Sequence, residues 1–352
     1  MNTTLLIVGI VLMSFTVLPL IRQDYWTFRV FDYPRIQKLV LALTWLATFM
    51  TLGNFNDFPN NTLAVLMFLN CIYLFCLIYP FTILGSKQVK KIAQQDLSNN
   101  LRILISNVYE DNINSAGCLS VIKRADADVV LLLETNDRWA YELQAVDDLY
   151  PFHIKIPLNN TYGMLFFSKF PLTQAEVRYL VEKDIPSIRC RLELPSGQPV
   201  QIYAVHPTPP VPNENPRSTE RDKELLIIAD EAKQSNLPVV VIGDLNDVAW
   251  SYTTTLFLKM SGLLDPRRGR GFFNTFHAHY PFLRFPLDHA FTSPHFKLVT
   301  LRKEDNFDSD HFPIFVHLQF EEQAEDEQEE AVLQPDKDDH EIAEEKKQAD
   351  TE

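Results

Sequence analysis

The chain has 352 residues, 46% of them hydrophobic, and a formal charge of −14. Nearly all of that charge sits at one end: residues 321–352 hold 15 acidic and 3 basic side chains, leaving 29 basic against 31 acidic for residues 1–320. A near-neutral body this rich in apolar residues excludes wholesale disorder. It is also a poor electrostatic match for duplex nucleic acid, whose binding depends on phosphate neutralisation by Lys and Arg.

The first 86 residues are a different material from the remainder. Apolar runs predict helices at about 5–21, 37–53 and 63–84, and the third exceeds the roughly 20 residues that cross a bilayer. Met1 to Thr4 carries no charge and no small-residue cleavage site follows, so the runs read as a membrane anchor in contact with lipid. A buried or interfacial helix is the alternative for the second run. Trp26, Phe28, Phe31 and Tyr33 suit a membrane-interface belt. Arg22, Arg29, Arg35 and Lys38 follow the first run and Lys87, Lys90 and Lys91 follow the third, while residues 53–61 hold no basic side chain. With three spans, this bias places the amino terminus outside and everything after Leu84 in the cytoplasm. The four cysteines, Cys71, Cys76, Cys118 and Cys190, read as buried free thiols.

Residues 87–100 read as a linker, 101–320 as a soluble domain and 321–352 as an acidic disordered tail. Within the domain, Leu101 to Ser106, Val129 to Leu133, Met164 to Phe167, Val200 to Val205, Val239 to Ile242 and Ile314 to Phe320 predict strands, several apolar enough to be buried on both faces. Helical patterns fall at Ala116 to Arg124, Trp139 to Val146, Glu220 to Lys233, with Ser218 as its cap, and Thr254 to Met260. Together with antiparallel-looking stretches from Phe152 to Leu194, they predict an α/β fold, a four-layer α/β/β/α sandwich of two mixed sheets.

The polar residues that could carry chemistry stand at strand ends: Asn107, Glu134, His206, the run Gly243, Asp244, Leu245, Asn246, then Asp288 and His289, and Ser309, Asp310, His311. Glu134 and Asp310 supply the oxygen ligands a hard divalent cation needs, with Mg²⁺ expected and Mn²⁺ as the alternative. Asp244 and Asn246, two apart on an extended strand end, point the same way and can address one phosphate or an attacking water. A His beside a carboxylate is the usual base near neutral pH. Singly, each has a plain structural reading: an Asp or Asn after a strand caps or turns, and a solitary His satisfies a hydrogen bond.

As an ordered set, the motifs Ile-Ser-Asn-Val at 105–108, Leu-Leu-Glu-Thr at 132–135, Gly-Met-Leu-Phe-Phe-Ser-Lys at 163–169, Ala-Val-His-Pro at 204–207, Gly-Asp-Leu-Asn at 243–246, Leu-Asp-His-Ala-Phe at 287–291 and Ser-Asp-His-Phe-Pro at 309–313 resemble the endonuclease/exonuclease/phosphatase superfamily. The resemblance covers about Leu101 to Phe320. It implies that Asn107, Glu134 and Asp310 surround the metal, that Asp244 orients or deprotonates the water, and that Asn246 binds the scissile phosphate. It further implies that His311, steadied by Asp288, completes the acid/base machinery, and that His206 contacts the phosphate. Tyr109 stands where the apurinic endonuclease branch has an aspartate, which puts a second-metal arrangement and abasic-site activity in doubt. Arg267, Arg268, Arg270 and Arg284 are candidate clamps for a further phosphate or a head group, with a solvated basic loop as the alternative. Phe273, Phe276, Tyr280 and Phe282 read as core or as an apolar entrance.

The expected function is a membrane-anchored, Mg²⁺-dependent phosphoesterase acting on a phosphodiester or phosphomonoester, with a lipid or lipid-linked phosphate as a reasonable substrate because tethering concentrates whatever else lies in the bilayer. A membrane-held nuclease and a non-catalytic scaffold are the alternatives; no protein partner is implied. Some membrane-anchored bacterial members of the superfamily act on the outer face, which opposes the orientation read from the charges.

Overall fold

The computed structural model describes residues 3–53 and 58–351. Three long helices come first: α1 (Thr3–Val17), then, after the short helix α2 (Trp26–Arg29), α3 (Arg35–Leu52) and α4 (Phe58–Ile78). They alternate in direction. The Trp45 indole donates to Leu5 O and the Lys38 ammonium to Phe15 O, so α3 runs antiparallel to α1, and Ala42, Trp45, Phe49, Leu63 and Met67 pack between the three. Thr3–Leu20 and Pro59–Phe81 are long and apolar enough to cross a membrane. The expected second span, 37–53, is helical but falls short of that apolarity, because α3 opens on Arg35, Gln37 and Lys38 and carries Thr44, Thr48 and Thr51. Of the cysteines, Cys76 is exposed on α4, against expectation, while Cys71, Cys118 and Cys190 are buried.

Beyond the anchor the chain forms β1 (Asn100–Asn107), α5 (Ser115–Ala125), β2 (Val129–Leu133), α6 (Asp137–Glu142), β3 (Phe152–Ile156), β4 (Met164–Ser168), β5 (Leu172–Arg178), β6 (Ser187–Glu193), β7 (Pro199–Val205), α7 (Thr219–Gln234), β8 (Val239–Asp244), α8 (Tyr252–Ser261), β9 (Asp288–Thr292), β10 (Phe296–Lys303) and β11 (Ile314–Phe320). One sheet has the order β10-β11-β1-β2-β4-β3 and the other β5-β6-β7-β8-β9. Each is mixed: β1 pairs parallel with β2 and β7 with β8, and the remaining pairs are antiparallel.

The inner faces meet in one apolar core, in which Ile103, Leu131 and Phe166 of the first sheet pack with Ile202, Val240 and Ala290 of the second. The outer face of the first sheet is covered by α5 and α6, that of the second by α7 and α8. This is the expected α/β/β/α sandwich. It follows from strands that are apolar on both sides and so need cover on both.

Three boundary expectations differ from the structure. The stretch expected as a linker packs along the domain: Val89 is buried in the core, Gln88 bonds Asp265 N and Ala331 O, and Lys91 bridges Leu298. Ser218 does not cap α7; its hydroxyl donates to Asp222. The acidic segment expected to be disordered folds, up to Thr351, into α9 (Ala324–Gln328) and α10 (Lys337–Gln348). Asp336 and Asp339 form a capping box at the start of α10, Ala343 is buried against Leu226 and Leu256, and the two lysines in its last turn find buried or half-buried acids. Lys346 bonds Asp24 and Asp222 at 2.7 and 2.8 Å, and Lys347 pairs with Asp230. Net composition misled here because a narrow buried face is outvoted by a solvated one.

Burial alone would push the Asp222 carboxyl up, but Lys346, then Arg221 and Arg29, more than offset it and hold it below the usual carboxylate range. The Lys346 ammonium, opposed by burial but facing Asp222 and Asp24, is held above its ordinary value. A depressed acid stabilises the fold above its unfolded pKa and a raised base below its own, so this pair contributes fully between about pH 4 and about pH 10. Truncation after Leu333 removes the partner of a buried charge and costs about 3 kcal/mol, a Tm fall of about 6 °C or more in a domain of this size. The difference narrows below about pH 4 as Asp222 protonates. Thermal unfolding of the detergent-solubilised chain at several pH values checks this, and an unchanged Tm would make the tail a mere solubilising appendage.

Candidate active site

The parallel strands of both sheets end at one rim, where the antiparallel β9 and the approach to β11 begin. Asn107 is the last residue of β1 and Asp244 of β8, Glu134 and His206 stand one beyond β2 and β7, Asp288 opens β9, and Ser309, Asp310 and His311 precede β11. Two glycines allow the close approach. A Cβ on Gly243, at φ +147°, would lie 1.8 Å from Val205 O, and one on Gly163 would lie 1.8 Å from Thr135 O, beside Glu134. Glu134 and Asn246 adopt φ of +59° and +50°, a strained region for side-chain-bearing residues that surrounding contacts must hold.

The side chains interlock across the two sheets. Asn107 Nδ2 donates to Glu134 Oε1 at 2.7 Å and to Asp244 Oδ2 at 3.3 Å, while Asn107 Oδ1 accepts from Tyr109 N. His311 Nδ1 meets Asp288 Oδ2 at 2.8 Å and its Nε2 lies 3.5 Å from Asp244 Oδ2. Asp244 Oδ1 accepts from Asn246 N at 2.9 Å, and Asn246 Nδ2 donates to Pro207 O, which leaves its second amide hydrogen for a ligand. Ser309 Oγ donates to Asn107 O and accepts from His311 N, tying the first sheet to the last motif. The Phe276 ring lies 4.9 Å from that of His311, and Tyr162 5.3 Å from that of His206.

The electrostatics follow from burial. Burial first, then Asp310 and Asp244 against the Asn107 bond and His311, pushes the Glu134 carboxyl up to about 7. Burial also opposes charge on His311, yet Asp288 and Asp244 overcome it and raise the imidazole to about 10. His206, buried with little compensation, is lowered to about 4 and is neutral. Ligand atoms of Asp244, Asp288 and His311 lie within 4.8 Å of one another, and Asp288 Oδ1, Asp310 Oδ1 and His206 Nδ1 are buried with no protein hydrogen-bond partner. Unpartnered carboxylate oxygens beside a carboxyl driven toward neutrality fit a hard divalent cation, which would satisfy both. Glu134, Asp310 and the Asn107 carboxamide are the residues that would hold it.

The arginines expected as clamps are placed otherwise. Arg267 is buried, grips Asp265 through Nε and Nη2, and reaches Asp288 O and His289 Nδ1, so it props β9 from behind. Arg268 lies over the Phe81 ring, and Arg270 bonds Pro266 O and Val89 O; both fasten the loop to the segment after α4. Arg284 stays at the rim, over Phe312 and bonded to Ala278 O. Sequence reasoning passed over Ser309 as a tie, though it stands inside a quoted motif. It also passed over Tyr33 and Arg221, which both donate to Asn246 O at 2.7 Å. Tyr33 therefore faces the catalytic domain and not a membrane interface.

The sequence pattern of the Endonuclease/Exonuclease/phosphatase family matches residues 105–311. No curated protein matches the chain. Solved structures share the fold. An endonuclease/exonuclease/phosphatase from Beutenbergia cavernae is 20% identical over 63% of this chain and 72% of its own, with a TM-score of 0.51. D. rerio TDP2 complexed with single strand DNA product is 18% identical over 62% and 99%, at 0.53, and the human Nocturnin catalytic domain with bound sulfate anion is 17% identical over 64% and 97%, at 0.51. With the whole matched span running from the end of β1 to His311, the chain belongs to the endonuclease/exonuclease/phosphatase family and is a metal-dependent phosphoric ester hydrolase.

Proposed function

We propose that the protein is a membrane-anchored phosphoesterase that uses Mg²⁺, with Mn²⁺ as substitute, to hydrolyse a lipid or lipid-linked phosphate by direct attack of water. The observation that carries the lipid reading is an apolar cleft of about 420 Å³ between the start of α3, at Ile36, Val40 and Leu41, and a loop bearing Pro281, Phe282 and Arg284. Phe282 is 86% exposed, and Tyr280 and Leu283 beside it are also exposed. The same loop reaches the site: Ala278 N donates to Asp310 O at 2.6 Å, and Phe276 packs on His311. An alkyl chain in the cleft would thus place a phosphate near Asp310 and Arg284. Membrane seating is supported by α1, α3 and α4, which display Ile7, Ile10, Leu43, Met50, Val65, Phe68 and Leu69, an apolar surface that water does not favour. The flanking Lys and Arg count supports a cytoplasmic catalytic domain.

When bound, the divalent cation polarises a phosphoryl oxygen and offsets charge that builds on it. Asp244 Oδ1 accepts from Asn246 N, and Oδ2, which accepts a long bond from Asn107 Nδ2 and faces His311 Nε2, is the oxygen that would take a proton from water. His311, held protonated by its two carboxylate neighbours, cannot take that proton; it donates toward Asp244 Oδ2 and toward developing negative charge. This favours Asp244 over His311 as the base. Asn246 offers its free amide hydrogen to the phosphate, and neutral His206 adds a second contact without adding charge.

D. rerio TDP2 is seen with single strand DNA product, so a nuclease is the reading to test against; the near-neutral body of this chain, 29 basic against 31 acidic residues before Glu321, opposes it. Full-length protein in detergent should hydrolyse bis-aryl phosphate and phospholipid micelles faster than plasmid DNA, with turnover abolished by chelator. Asp244→Ala and His311→Ala should each lower kcat by about 10²-fold or more. Preference for DNA would replace the lipid reading, and absence of both turnover and Mg²⁺-dependent thermal stabilisation would overturn the proposed function. Phe282→Ser should lower the ratio of lipid to bis-aryl phosphate turnover by about fivefold, as loss of a buried aromatic anchor predicts; an unchanged ratio removes the cleft from substrate binding.

A further inference from the structure

We propose that Tyr33, in the segment joining the first two long helices, is a positioning residue of the active site: its hydroxyl fixes the Asn246 peptide, so that seating the anchor on the catalytic domain sets catalytic competence. The inference rests on the reading of Asn246 as the phosphate-binding residue. Tyr33 Oη donates to Asn246 O at 2.7 Å across 213 residues of sequence. Arg221 Nη1 donates to the same oxygen at 2.7 Å, which fills both acceptor positions of that carbonyl. Burial, and next the Asp247 carboxylate, push the Tyr33 phenol well above its ordinary value, so the hydroxyl remains a donor.

The Asn246 peptide needs such support. Its φ of +50° is strained, its N–H orients Asp244 Oδ1, and its side chain is aimed by Pro207 O. Release of the carbonyl would let the peptide relax and would disturb the proposed base and the phosphate contact together. The anchor grips the following residues as well: Arg35 Nη1 donates to Trp250 O at 2.5 Å, Trp250 Nε1 donates to Asp32 O at 3.0 Å, and Phe81 packs edge-on against Trp250. On the other side, Arg221 is held by Asp222, Asp222 by Lys346, and Lys346 by Asp24, which also pairs with Arg29 just ahead of Tyr33. The loop that carries the phosphate contact is therefore clamped by the anchor segment and, through Arg221, by the carboxy-terminal helix.

The test uses the full chain in detergent with Mg²⁺ and bis(p-nitrophenyl) phosphate as probe. Tyr33→Phe should lower kcat about tenfold, as a small misplacement of a catalytic group does, and Tyr25→Phe, in the same segment but exposed, should match wild type. Hydrogen–deuterium exchange of the peptide covering Gly243 to Trp250 should be faster in Tyr33→Phe, and this readout needs no turnover. Unchanged exchange, or a kcat for Tyr33→Phe equal to that of wild type, would overturn the positioning role. A wild-type chain inert on the probe but showing the exchange difference would count against the proposed function and leave the coupling standing.

Discussion

Four carboxylates, Glu134, Asp244, Asp288 and Asp310, meet where the rims of the two sheets abut, and their mutual repulsion in a water-poor site is the constraint around which the domain is arranged. Like charges at this spacing can stay ionised only if something positive lies among them. His311 supplies part of that charge, caught between Asp288 and Asp244. Glu134, pushed up to about 7 first by burial and then by Asp310 and Asp244, and Asp310 Oδ1, with no protein hydrogen bond, are where a divalent cation would fit. Structure and chemistry share one cause here: the arrangement that leaves the protein alone electrostatically uncomfortable is the one that fits a divalent cation.

Most of this was legible in the primary sequence, for a reason specific to the fold. Strands buried on both faces read as near-continuous apolar runs, so β2 was delimited to the residue, as was β11 despite its His317 and Gln319, and the candidate site residues stand where such runs end. That position singled out the candidate site residues, and the family resemblance supplied their expected roles. What was illegible depends on pairing across distance or across a helix face. Arg267 carries a charge but not the information that Asp265, two residues earlier, and His289 consume it. The acidic segment averages to a solvated composition although Ala343 and Lys346 form a buried edge. Tyr33 looks like an interfacial aromatic until its acceptor, Asn246 O, is known.

The misreadings share a direction. At Arg268, Arg270, Lys346 and Tyr33, a residue assigned to solvent, lipid or ligand serves the contact between the sandwich and what precedes or follows it. Arg268 and Arg270 hold the segment after α4, Lys346 joins Asp24 to Asp222, and Arg35 reaches the loop after β8. The amino-terminal helices, the sandwich and the carboxy-terminal helix are thus joined by buried, directional polar bonds, which specify one arrangement more sharply than apolar contact alone does.

A tether that served only to concentrate enzyme at a bilayer would need a flexible linker and no contact with the catalytic loop. Here the connection is short, buried and hydrogen-bonded, and it ends on the peptide that orients both Asp244 and Asn246. The same start of α3 that sends Arg35 to Trp250 also lines the apolar cleft with Ile36 and Val40. One helical turn therefore faces the catalytic loop on one side and the proposed path of an alkyl chain on the other. Any shift of α3 within its surroundings would move both at once, so the proposed cleft and the proposed phosphate contact rest on one support.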